Sequence, residues 1–203
     1  MKKYLVEFIW TLFFVLTITL AVNNAWNFAP LAIGSALMVM IYAWGHVSGW
    51  HFNPAVSVAV WLRWKSTFQE TIKYRIAQII GACLGAIIGM FFVNWSLSPA
   101  AIDATTAQII VAEIIATFAL AWVVLHVATD DDTQWNSFYG LAIWFTVMVC
   151  AFAFGSISWW AFNPAVSIGQ AITWLFSWNM VWIHLVGQFV WAILAAYAYK
   201  AVQ

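Results

Sequence analysis

The residues best placed to do chemistry lie in two copies of one pentapeptide, Asn53-Pro54-Ala55-Val56-Ser57 and Asn163-Pro164-Ala165-Val166-Ser167, 110 positions apart. Proline at a first helical position is preorganised for helix and lacks an N–H that would go unused, and Asn before it is a good N-cap. Each copy therefore predicts the start of a short helix. A helix N-terminus carries partial positive charge and unpaired N–H donors. Placed inside an apolar chain, two such ends are costly unless they line a polar path. The surroundings repeat too: His51-Phe52 precedes the first copy and Ala161-Phe162 the second. A Gly-x-x-Ser run (Gly45 to Ser48, Gly155 to Ser158) begins eight residues before each Asn.

The chain that must position these motifs is strongly apolar. Of its 203 residues, 66% are hydrophobic and 7% charged, and the mean hydropathy is +0.91, which points to a polytopic membrane protein. The net charge is zero and no basic run invites nucleic acid. Cys83 and Cys150 sit in apolar stretches without ligand-type spacing and read as small buried hydrophobes. The first apolar run has no small-residue cleavage site after it and reads as a retained span.

Six spans are expected, at about Tyr4–Val22, Leu31–Val47, Ile76–Val93, Ala107–Ala128, Phe138–Phe154 and Val181–Tyr199. Two helices too short to cross run from Pro54 to about Leu62 and from Pro164 to about Trp174. Gly81, Gly85 and Gly89 form a small-residue seam for close helix contact. Glu7-Phe-Ile-Trp-Thr11 matches Glu113-Ile-Ile-Ala-Thr117, and Gln78 matches Gln188, so the chain is an internal repeat. Repeat one covers about 1–98 and repeat two about 104–203, within one domain over 1–203. Three full spans per repeat forces the second to enter from the opposite side, so the short helices dip in from opposite faces and meet mid-membrane. All seven basic residues fall on the side holding both termini, which the positive-inside rule makes cytoplasmic. The expected fold is all-α transmembrane: six spanning helices plus two re-entrant half-helices in an inverted three-helix repeat.

Two Asn-Pro-Ala motifs in such repeats resemble the major intrinsic protein family, the aquaporins and glycerol channels. The resemblance covers the whole chain, including the Glu and Thr of spans one and four, the Gly45-to-Ala55 stretch and the Gln of spans three and six. It implies an aquaporin-like channel in the plasma (inner) membrane, a homotetramer with one pore per subunit, and no cofactor or metal. The lipid bilayer is the medium; water and small neutral solutes such as glycerol are the cargo. Asn53 and Asn163 would offer amide N–H groups to a passing hydroxyl. Carbonyls from about Gly45 to His51 and Ser156 to Phe162, left out of helix, would accept from it. The paired helix ends would oppose cations and protons. Glu7 and Glu113, and His46 with them, would hold the non-helical loops in place. His51 stands beside the pore or in a structural role, and His126 and His184 receive no function.

The chain also departs from the family. Val166 stands where orthodox members place Arg, and the other narrowing positions fall at Ile33, Ala151 and Trp160, without the His of water-selective members. Trp10, Trp44, Trp50, Trp159, Trp160 and Trp191 stand where glycine is usual, and the repeat pairs Gly81 with Trp191 and Gly49 with Trp159. Three readings of these tryptophans are open: a repacked variant, engineering, or UGA codons that mean glycine in the source cell. A membrane-embedded enzyme would need convergent ionisable groups, and the spans offer two separated Glu and scattered His. A non-conducting structural relative, plugged by Trp50, Trp159 and Trp160, is the remaining rival.

Overall fold

A computed structural model describes residues 1–24, 26–93, 103–134, 136–159 and 161–203. Its long helices are α1 (Lys2–Asn24), α2 (Ala29–Ser48), α4 (Phe68–Phe92), α5 (Thr106–Ala128), α6 (Tyr139–Ser158) and α8 (Val181–Val202). All six are long and apolar enough to cross a membrane, α8 together with the turn at Trp178–Met180 before it. The two short ones, α3 (Pro54–Leu62) and α7 (Pro164–Ile172), are nine residues each, about 14 Å at 1.5 Å per residue, half a hydrocarbon core. The expected loop Asn94–Thr105 falls mostly outside the described residues. Trp160 lies outside them too.

Local chemistry sets the ends. Thr67 and Glu70 form a reciprocal capping box that starts α4, as do Thr105 and Gln108 for α5. Gly49 ends α2 in the left-handed region at φ +82°, its N–H closing on the Gly45 carbonyl at 2.7 Å. That closure corrects one expectation: residues Gly45 to Ser48 and Ser156 to Ser158 are helical, so the irregular backbone begins only after Ser48 and Ser158. The glycine seam is as expected. A Cβ on Gly81 or Gly85 would overlap the carbonyl oxygens of Phe8 or Leu12, so α4 lies backbone to backbone on α1.

Each repeat packs its first helix against its last, α1 on α4 and α5 on α8, and α2 meets α6 where the repeats join. The two half-helices abut between them. Both termini share a face with residues 63–67 and 129–134. Lys3 pairs with Glu70, Lys65 with Asp131 at 2.9 Å, and Gln203 Nε2 donates to Asp130 Oδ2 at 2.7 Å.

Tyr199 also donates to Asp130 (2.7 Å) while accepting from Arg63 (2.9 Å), tying the end of α8 to the α5–α6 loop and to the foot of α3. The Tyr199 hydroxyl holds the Asp130 carboxyl below its ordinary value of about 3.8. A depressed carboxyl stabilises the fold above its ordinary pKa, and the contribution is lost as pH falls below it. Amide exchange over residues 196–203, corrected for its intrinsic pH dependence, should therefore rise below about pH 4. Tyr199→Phe should raise exchange at neutral pH and flatten that acid response.

Candidate functional site

The centre of the protein is where α3 and α7 point their N-termini at each other. Asn53 caps α3, its Oδ1 accepting from Ala55 N (2.8 Å) and Val56 N (3.3 Å); Asn163 caps α7 through Ala165 N at 2.9 Å. Pro54 and Pro164 occupy the first helical position. Ala55 and Ala165 are fully buried. The side-chain amides then cross over. Asn53 Nδ2 donates to the Phe162 carbonyl and Asn163 Nδ2 to the Phe52 carbonyl, both at 2.9 Å. Each motif thus holds the other's loop. An amide nitrogen carries two hydrogens, and the second on each Asn has no protein partner among the described residues. Both Asn face a cavity.

The loops leading to the motifs are held by buried carboxyl groups. Glu7 accepts from His51 N (3.2 Å), Phe52 N (2.6 Å) and Gln78 Nε2 (2.7 Å). Glu113 accepts from Phe162 N (2.9 Å) and Gln188 Nε2 (2.6 Å) through one oxygen; the other, Oε1, receives no bond from the described residues. Each glutamine also donates to a motif serine, Gln78 to Ser57 at 3.0 Å and Gln188 to Ser167 at 2.9 Å. Both glutamates are wholly buried, and the hydrogen bonds they accept come mainly from loop amides and a glutamine. That is positioning chemistry, and the side-chain link from each carboxyl group to its motif serine runs through a glutamine amide, a poor proton carrier.

His46 does not join them. It lies exposed on α2, stacked on Trp44, because α2 continues past it to Ser48 and turns its ring outward. Two residues assigned nothing, or not noticed, do that work. Tyr74 donates from α4 to the Ser48 carbonyl, and His184 from α8 contacts the Ser158 carbonyl at 2.9 Å. They are repeat partners, 110 positions apart, each fastening the last carbonyl of the helix that enters a re-entrant loop. Comparing the repeats at that offset would have found them. His51 is both structural and cavity-lining: its Nδ1 meets Ser57 Oγ at 3.0 Å and its ring packs on Tyr74.

The cavity is about 30 Å³. Its wall follows the repeat: Phe14 and Ile18 from α1 face Leu120 and Val124 from α5, and Ile33 and Leu37 from α2 face Ile143 and Val147 from α6. The polar groups at its centre are the motif amides and loop carbonyls. The α1 and α5 wall residues stand on the same helical face as Glu7 and Glu113, two and three turns on at i+7 and i+11, a register the sequence contains. Of the four narrowing positions, Ile33 lines the cavity. Ala151 and Val166 are buried in the same apolar core without lining it, and Trp160 is outside the described residues. Trp50 and His51 line both this cavity and a vestibule of about 1060 Å³ on the face of the termini. Trp50 donates to the Ile41 carbonyl at 3.2 Å and packs on Tyr139 at 5.0 Å.

Set against known proteins, this architecture has a home. The family described as "Major intrinsic protein" matches residues 1–199. The chain belongs to the major intrinsic protein family. It is 35% identical to Aquaporin NIP1-1 of Zea mays over 192 residues, 92% of this chain and 67% of that one. It is 32% identical to Aquaporin AqpM of Methanothermobacter marburgensis over 188 residues, 86% of this chain and 76% of the relative. The fold is that of the aquaglyceroporin from Plasmodium falciparum, at a TM-score of 0.81 and 20% identity, covering 97% of this chain and 94% of that one. Membership makes this a multi-pass membrane channel for water and small solutes, not an enzyme.

The carboxyl groups yield a differential prediction. Glu7→Gln turns an acceptor oxygen into an N–H₂ facing N–H donors, leaving at least one buried donor unpaired, at about 1–3 kcal/mol. Glu113→Gln can turn its amide nitrogen to the Oε1 side and keep the bonds from Phe162 N and Gln188 Nε2. Thermal unfolding in detergent should therefore show Glu7→Gln as the more destabilised variant, and equal loss would contradict the geometry.

Proposed function

We propose that the chain is a passive, single-domain channel for water and small neutral solutes such as glycerol. The observation that carries this reading is the crossed pair of Asn amides, each with one N–H left for a solute, at a polar station in a cavity whose described wall is mostly apolar. A passing hydroxyl accepts from Asn53 and Asn163 and donates to a loop carbonyl. The half-helices add about +0.5 elementary charge each at the same point, which opposes cations and turns water oxygens inward from both sides, disfavouring a proton relay. With Ile33, Ala151, Val166 and Trp160 at the narrowing positions and no Arg among them, the constriction discriminates by size rather than by charge. Glycerol then passes as well as water.

The basic residues on the face of the termini support a cytoplasmic placement of both ends, in a plasma or inner membrane. Family resemblance supports a homotetramer. One specific observation favours the rival of a plugged, non-conducting relative: a cavity of about 30 Å³ holds about one or two waters, and Trp50 stands between it and the vestibule.

Stopped-flow shrinkage of proteoliposomes separates these. The chain and Trp50→Gly are compared under impermeant, glycerol and salt gradients. The channel reading expects water flux above bare lipid, at least tenfold faster in Trp50→Gly, with no salt leak. Folded protein that leaves both variants at the lipid baseline rejects it in favour of the plugged relative.

A further inference from the structure

The tryptophans of this protein occupy places that the backbone has built for glycine. Among the described residues, the non-glycine positions in the left-handed region are Phe52 and Phe162, which precede the motif Asn, and four tryptophans: Trp50 (φ +63°), Trp64 (+67°), Trp159 (+61°) and Trp174 (+59°). Bulky side chains are genuine outliers there.

The hydrogen bonds say what kind of position each is. At the end of α3, Lys65 N reaches the Val60 carbonyl (3.2 Å) and Trp64 N the Trp61 carbonyl (2.9 Å). At the end of α7, Leu175 N reaches Gln170 (3.0 Å) and Trp174 N reaches Ala171 (3.3 Å). Both are Schellman motifs, and both tryptophans stand at the C′ residue that glycine normally fills. Trp159 ends α6 as Gly49 ends α2, with the same N–H to a glycine four residues back, at 3.0 and 2.7 Å. One protein thus shows the same cap twice, once with each residue.

Packing repeats the pattern inside helices. At the repeat offset of 110, Gly34 pairs with Trp144 and Gly81 with Trp191. The indole nitrogens of Trp144 and Trp191 are buried with no acceptor among the described residues, although a buried indole N–H normally finds one. By contrast, Trp61 and Trp122 lie within helices, away from the left-handed region, with their rings on Phe68 and Phe118. Trp10 and Trp44 also lie within helices, Trp44 exposed, and no backbone feature there demands glycine.

Independent mutations do not convert one residue into its conformational opposite again and again. A single codon does. UGA is one base from the glycine codon GGA and one from the tryptophan codon UGG, so one change of decoding rule exchanges the two residues at every UGA. We infer that the gene decodes UGA as glycine, and that Trp50, Trp64, Trp144, Trp159, Trp174 and Trp191 are glycine in the protein made by its own cell. The inference stands on backbone and packing and does not need the channel reading.

Its consequence falls on the permeation path. Gly45 lies against the Trp50 indole so closely that a Cβ there would overlap it, and this ring lines both the cavity and the vestibule, as His51 does. Glycine at position 50 removes the indole from that boundary.

Two measurements decide it. The gene should carry UGA at these six positions and UGG at Trp61 and Trp122, and peptides from the source cell's own membranes should weigh glycine at all six. UGG at Trp50, Trp64, Trp159 or Trp174 overturns the inference. So does a native peptide with tryptophan there, whatever its codon. As a physical check, the six-glycine chain should melt at a higher temperature in detergent than the chain as written. A lower melting temperature would show that the backbone does not prefer glycine and would count against it.

Discussion

Two helix N-termini facing each other in an apolar slab are the constraint on which this structure depends. Each brings unpaired N–H groups and partial positive charge to a place where water cannot solvate them freely. The protein answers with one residue type used twice over. The Asn oxygen caps its own helix, and the Asn nitrogen holds the opposite loop. Because the crossed bonds are reciprocal, neither motif can shift without releasing the other.

The loops that deliver the two asparagines are irregular backbone at membrane depth, tolerated only where their polar groups are satisfied by protein or by a lined cavity. Glu7 and Glu113 meet that need from the cores of α1 and α5, Gln78 and Gln188 orient them, and Tyr74 and His184 pin the helix ends just upstream. The buried polar residues of this chain thus form a scaffold around the pore, and the pore itself is mostly apolar wall. An ionisable residue in a span commonly marks a proton or ion path. Here the hydrogen-bond partners place it behind the wall instead.

Close turns between such elements need left-handed residues, and the cost of an L side chain there is about 1–2 kcal/mol. Among the described residues, Phe52, Phe162 and four tryptophans bear it, and both phenylalanines and two of the tryptophans stand in the re-entrant loops. The same geometry thus places the strain within a few residues of the motif asparagines.

Much of this was legible before any coordinates. The paired motifs, their 110-residue spacing, the apolar runs and the odd number of spans per repeat determine an inverted repeat with two half-helices, because each follows from helix capping, bilayer thickness and chain parity. The glutamate–glutamine pairs were readable as repeats, and the family resemblance supplied their supporting role. What only the tertiary structure decided was direction. Whether His46 turns inward depends on where α2 stops, and Gly49, not the motif, sets that point. That Tyr74 and His184 hold equivalent carbonyls requires α4 and α8 to lie beside the right helix ends. That Ile33 lines the cavity while Ala151 and Val166 do not depends on how helices rotate as they pack. Backbone φ at Trp64 and Trp174 is set by a Schellman closure that residue types alone would not have announced, since tryptophan is the last side chain expected there. Spacing along a chain encodes which elements exist; only packing them against one another fixes which face each side chain shares.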